Sequence, residues 1–104
     1  MQEVKAFFQR IRRRKKTVPK IRQERERAEA METLRQDIGR AEKILQKVEP
    51  EQLRDFLWTY YLGEGQTLAQ IAEEIGYSLR QTKRIEKKAL DAAERAAREV
   101  PVQE

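Results

Sequence analysis

Between Gln66 and Leu90 the chain specifies two helix starts with the same device. Thr67 with Gln70, and Ser78 with Gln81, are both S/T-x-x-Q capping boxes: the hydroxyl takes up an otherwise unpaired helix-start amide and the glutamine reaches back to the cap amide. Between them stands Gly76, the residue type that enters the left-handed region without steric penalty. This spacing predicts a helix over Leu68 to Ile75, a turn through Gly76, Tyr77 and Ser78, and a longer helix from Leu79 towards Glu99 with no breaker before Pro101. A short helix, a glycine turn and a longer helix make a helix-turn-helix.

The pair also implies an interior. Ala72 is small where the two helices must approach, and Ile71, Ile75 and Ile85 are expected to meet over Leu53, Phe56, Leu57 and Tyr60. The outward face of the second helix is then Leu79, Arg80, Gln81, Lys83, Arg84, Lys87 and Lys88, with no acid before Glu86. Arginine suits bidentate contact with guanine, and glutamine with adenine, in a major groove that admits one helix. Together with the helix starts at Gln66, Thr67 and Ser78, these residues form the expected interface with double-stranded DNA, read by helix 79–90. A plainer account is a capped helix pair in a bundle with no DNA role.

Upstream, prolines and glycines divide the chain into further helical segments. Glu3 to about Lys16 carries Val4, Phe7, Phe8 and Ile11 at helical spacing, and Thr17-Val18-Pro19 should interrupt it. From about Lys20 to Val48, the residues Met31, Leu34, Ile38, Ala41, Leu45 and Val48 form a heptad seam, with Gly39 off it. That seam offers a homodimer interface or, equally, packing on the helix-turn-helix or along the stripe Ala89, Ala93, Ala96 and Val100. The next helix should begin at Pro50, bury Leu53, Phe56, Leu57 and Tyr60, and end at Gly63 and Gly65. No segment alternates as a strand would. The expected fold is all-α: a small helical bundle with a C-terminal helix-turn-helix and a long N-terminal helix, divided as 1–48 and 49–100.

Composition narrows the chemistry. The chain has 104 residues, 39% charged and 38% hydrophobic, enough for one small core. It has neither cysteine nor histidine, which removes disulfides, thiolate chemistry and imidazole ligation or catalysis together. The carboxylates read as solvated helix faces, so no enzyme, metal or cofactor is expected. Trp58, Tyr60, Tyr61 and Tyr77 are expected as core and turn packing rather than a base-stacking platform. The start MQEVKAFFQRIRRRKK lacks the apolar run of a signal peptide, and no stretch approaches a bilayer span, so a cytoplasmic location is expected.

Net charge is +5, unevenly spread. Residues 1–22 hold nine basic and one acidic residue, residues 23–76 seven and twelve, and residues 77–104 seven and five. The run Arg10, Arg12, Arg13, Arg14, Lys15 and Lys16 is a candidate phosphate-gripping arm; otherwise it is a solvated helix end or a patch for an acidic surface.

The stretch from Tyr60 through Ile71-Ala72-Glu73-Glu74-Ile75-Gly76-Tyr77-Ser78 to Lys87-Lys88-Ala89-Leu90 resembles the C-terminal domain of ArpU-like phage transcriptional regulators. It is also similar to region 4 of bacterial sigma factors, whose helix-turn-helix reads promoter DNA. The resemblance covers roughly residues 51–92 and departs at Thr82, where such motifs place an inward Val or Ile. It implies a transcriptional regulator of phage or prophage genes in a bacterium. Two other readings stand beside it: a small terminase-like DNA-packaging subunit, expected as a ring, and an RNA polymerase-binding adaptor using the acidic middle.

Overall fold

The computed structural model describes residues 3–100. Five α-helices follow one another: α1 Glu3–Thr17, α2 Glu24–Leu45, α3 Glu51–Leu62, α4 Leu68–Ile75 and α5 Leu79–Ala97. There is no strand among the described residues, as the absence of alternating patterns predicted.

α1 buries Val4, Phe8 and Ile11 along one stripe and carries Glu3 in its first turn and Arg14, Lys15 and Lys16 in its last. That charge order complements the helix dipole. A 3-10 turn at Val18–Lys20, with Pro19 in it, redirects the chain, and Val18 plugs into the core. The turn delays α2, which begins at Glu24 rather than near Lys20; the side chain of Gln23 caps it by accepting from the Glu26 amide at 2.6 Å.

The heptad seam of α2 is used within the chain. Leu34, Ala41, Leu45 and Val48 are buried and Ile38 partly so, against α1, α3 and α5, while Met31 at the outer end is 46% exposed. The alanine stripe supplies the facing surface: Ala89, Ala92, Ala93 and Ala96 are all buried, and their small side chains let neighbouring backbones approach closely. One hydrophobic core runs from Val4 and Phe8 through Val48 and Leu57 to Ala93 and Ala96. It therefore crosses the sequence boundary expected between residues 48 and 49.

α3 follows Pro50, the residue preceding its first turn, and buries Phe56, Leu57 and Tyr61, with Leu53 and Tyr60 partly covered. It stops at Gly63, where an added Cβ would collide with the Thr59 carbonyl oxygen. Four expected core residues differ in degree. Ile75 is 44% exposed, Tyr77 43% and Trp58 40%, whereas Tyr61 is fully buried. α4 has only eight residues, leans chiefly on α5, and places Ile71 and Ala72 inward, which leaves Ile75 in its last turn at the edge of the packed surface.

Candidate nucleic-acid interface

Both capping boxes form as the sequence predicts. Thr67 Oγ1 accepts from the Gln70 amide at 3.1 Å, and Gln70 Oε1 from the Thr67 amide at 2.8 Å. Ser78 Oγ accepts from the Gln81 amide at 3.1 Å, and Gln81 Oε1 from the Ser78 amide at 3.0 Å and the Ser78 hydroxyl at 3.2 Å. Gly76 takes the left-handed conformation at φ 76°, and the Tyr77 amide closes α4 by donating to the Ala72 carbonyl at 3.0 Å. The two helices are thus joined by a turn whose polar groups are paired.

Thr82 sets the rotation of α5. It is fully buried, and its hydroxyl donates back to the Ser78 carbonyl at 2.9 Å, the bond that lets a threonine occupy an apolar site. With Thr82, Ala89, Leu90 and Ala93 inward, Leu79, Arg80, Gln81, Lys83, Arg84, Lys87 and Lys88 are left on the outer side. Glu86, the one acid between Leu79 and Leu90, is drawn to the inner flank, where Tyr61 donates its phenol proton to Glu86 Oε2 at 2.9 Å. Burial first, and the Glu86 charge second, raise the Tyr61 phenol well above its usual value, so it stays a donor. Lys87 pairs with Asp91 at 3.5 Å. Among the described residues, Arg80, Lys83, Arg84 and Lys88 have no carboxylate within ion-pairing distance.

The capping geometry changes what Gln81 can offer. Its amide oxygen is engaged by Ser78, so the paired oxygen and nitrogen contact expected with adenine is reduced to its Nε2 donor. Thr67 and Ser78 likewise commit their hydroxyls to the caps. Gln66 is half-buried; its Nε2 donates to Glu74 Oε2 at 2.7 Å.

The basic run Arg10 to Lys16 is divided by the helix that carries it. Arg12 donates to the carbonyls of Tyr60 at 2.7 Å and Gln66 at 2.8 Å, with its guanidinium 4.2 Å from the Tyr60 ring centroid. Lys15 donates to the carbonyls of Leu62 at 2.5 Å and Gly63 at 2.8 Å. These two residues, expected in the phosphate arm, instead cap the C-terminal end of α3, whose last carbonyls lack helical partners and carry partial negative charge. Arg10 lies over the Phe7 ring and 4.0 Å from Asp37. Arg14 is half-buried, and Arg13 and Lys16 are exposed. Lys16 runs close beside Gly65, in the turn that leads into α4.

This arrangement defines a helix-turn-helix DNA-binding protein, with the second helix presenting unpaired cations and the first pinned at its start. Residues 44–92, from the end of α2 into α5, match the family described as Sigma-70, region 4. The match is to a helix-turn-helix region, in keeping with the geometry above and with DNA binding. Comparisons with curated proteins and with solved structures gave no match. No helix among the described residues is long and apolar enough to cross a membrane.

Proposed function

We propose that this chain is a sequence-specific transcriptional regulator that reads the DNA major groove with α5, in the manner of ArpU-like regulators of phage or prophage genes in a bacterial cytoplasm. The observation that carries the reading is the one-sided charge of α5: its only early acid is held inward by Tyr61 while Arg80, Lys83, Arg84 and Lys88 stand on the outer side. Arg80 and Arg84 supply the planar donors suited to guanine, Gln81 contributes a single donor, and Lys83, Lys87 and Lys88 suit phosphates. Arg13 and Lys16 extend the phosphate contact beside the start of α4.

Selection from a random duplex pool at about 150 mM salt tests this, because at that salt nonspecific phosphate binding is weakened. The wild-type chain should enrich a defined motif, and Arg80→Ala should relax one position of it. Recovery of an unenriched pool by the wild type would sink the reading.

A further inference from the structure

A surface the DNA reading does not use lies between α3 and the far end of α4. It is a groove of about 480 Å³ whose floor is Phe56, Ile71 and Ile85. Ile75 and Tyr77 form its lip, 44% and 43% exposed. Of the five large hydrophobic residues exposed among the described residues, two, Ile75 and Tyr77, belong to this groove. An apolar patch coinciding with a concavity marks a binding surface more often than single scattered apolar residues do.

Charge says what the groove can take. Its α3 wall carries Glu51, Asp55 and Thr59 at steps of four, one face of the helix, and Glu74 closes the opposite side. Three carboxylates and no basic residue line it, in a chain whose net charge is +5. Phosphates are repelled there, so this is not a second nucleic-acid face. A second copy of the chain is also a poor occupant. Among the described residues, its exposed Met31 on α2 and exposed Trp58 on α3 each stand singly, with no exposed large apolar residue one helical turn away. A groove-to-groove dimer would in turn set Asp55 and Glu74 against their own copies.

We infer that this groove docks a short helical segment of another protein, one that inserts large apolar side chains at i and i+3 or i+4 and carries lysine or arginine beside them. The mode is helix-in-groove: the apolar floor and lip supply burial, and the acidic walls fix register and exclude acidic segments. Because the groove lies off the cationic face of α5, docking there is separable from DNA binding.

A random 16-residue peptide library displayed on phage, selected against the intact chain, tests this. Long-range attraction to a positively charged protein favours acidic peptides, so the groove makes the opposite and sharper forecast. Recovered peptides should carry paired large apolar residues flanked by Lys or Arg. Ile75→Glu should weaken a synthetic copy of the leading peptide by about ten-fold or more, as loss of an apolar anchor does. Asp55→Lys should weaken it by about five-fold, through the rim charge. Both positions are exposed, so folding should be retained, and melting curves check it; Met31→Glu should change nothing. Recovered peptides without a basic bias, or binding indifferent to both groove substitutions, would overturn the inference. So would a chain that dimerises on concentration and loses the dimer with Ile75→Glu.

Discussion

The guanidinium of Arg12 donates to the carbonyl of Gln66 at 2.8 Å across 54 positions of sequence, and to that of Tyr60 at 2.7 Å. It thereby ties α1 to both sides of the loop that delivers α4. Arg12→Ala should lower the unfolding free energy by about 2 kcal/mol, the range for hydrogen bonds from a charged donor. Arg12→Lys should recover little of it, since one ammonium lacks the planar fork that reaches two carbonyls and stacks on Tyr60. Urea denaturation reads both; equal stability of Arg12→Lys and wild type would contradict the account.

The same division predicts a split in salt dependence. For each phosphate no longer neutralised, the slope of log K against log salt should flatten by about 0.9. Arg13→Ala and Lys16→Ala should each show that change. Arg12→Ala and Lys15→Ala should weaken binding at every salt concentration with the slope preserved. A slope that falls equally for all four would place the whole run on DNA.

On the recognition helix, Gln81 has two duties and Arg80 one. Gln81→Ala should cost about 1 kcal/mol of stability by opening the cap, whereas Gln81→Glu should keep the fold, since glutamate closes the same box. In duplex binding, Arg80→Ala should lose about 1–3 kcal/mol against the preferred site and less against scrambled DNA. Identical losses on both duplexes would make Arg80 a phosphate contact only.

Thr82→Val should be tolerated, within about 0.5 kcal/mol of wild type or slightly more stable. The hydroxyl is removed with its bond, but the Ser78 carbonyl keeps its partner in the Thr82 amide at 3.0 Å, so nothing is orphaned. Thr82→Ser keeps the hydroxyl and removes a buried methyl, and should be the worse of the two by about 1 kcal/mol. The reverse order in thermal melts would show that the hydroxyl matters more than the shape.

Tyr61 yields a pH dependence with a definite sign. Its folded value is raised above the ordinary 10.0, so the unfolded chain gives up this proton first and stability falls as pH climbs through about 10 and beyond. Tyr61→Phe should cost about 1 kcal/mol at neutral pH through the missing bond to Glu86. Its deficit against wild type should narrow above pH 10, measured as the difference between paired denaturation curves. A constant deficit would mean the phenol titrates alike in both states.

Much of the helix-turn-helix was legible because its signals are local. Caps at Thr67 and Ser78 and the turn at Gly76 each follow from a few neighbouring residues, while the inward Thr82 was implied by the family resemblance. What escaped depends on contacts between distant segments. The run Arg10 to Lys16 reads as an undivided charge block, yet Phe8, Ile11, Arg12 and Lys15 lie at the i, i+3, i+4, i+7 spacing of one helix face, with Phe8 and Ile11 buried on it. Extending the apolar stripe through its two cations would have assigned Arg12 and Lys15 to the inner side. Exposure of Ile75, Trp58 and Tyr77 had no such signal, because periodicity gives a residue's face but not where the covering helix ends. The packing of the α2 seam was likewise open: a heptad stripe looks alike whether its partner is another copy or α5.

Arg12 and Lys15 also bear on how substitutions would be tolerated. A comprehensive scan of positions 10–16 should not read as one basic plateau, each cation exchangeable for the next. It should read as bands recurring with the helical pitch. Where the side chain meets a carbonyl, replacement should be punished even in the absence of nucleic acid; where it faces water, replacement should register only when the protein is asked to hold a duplex.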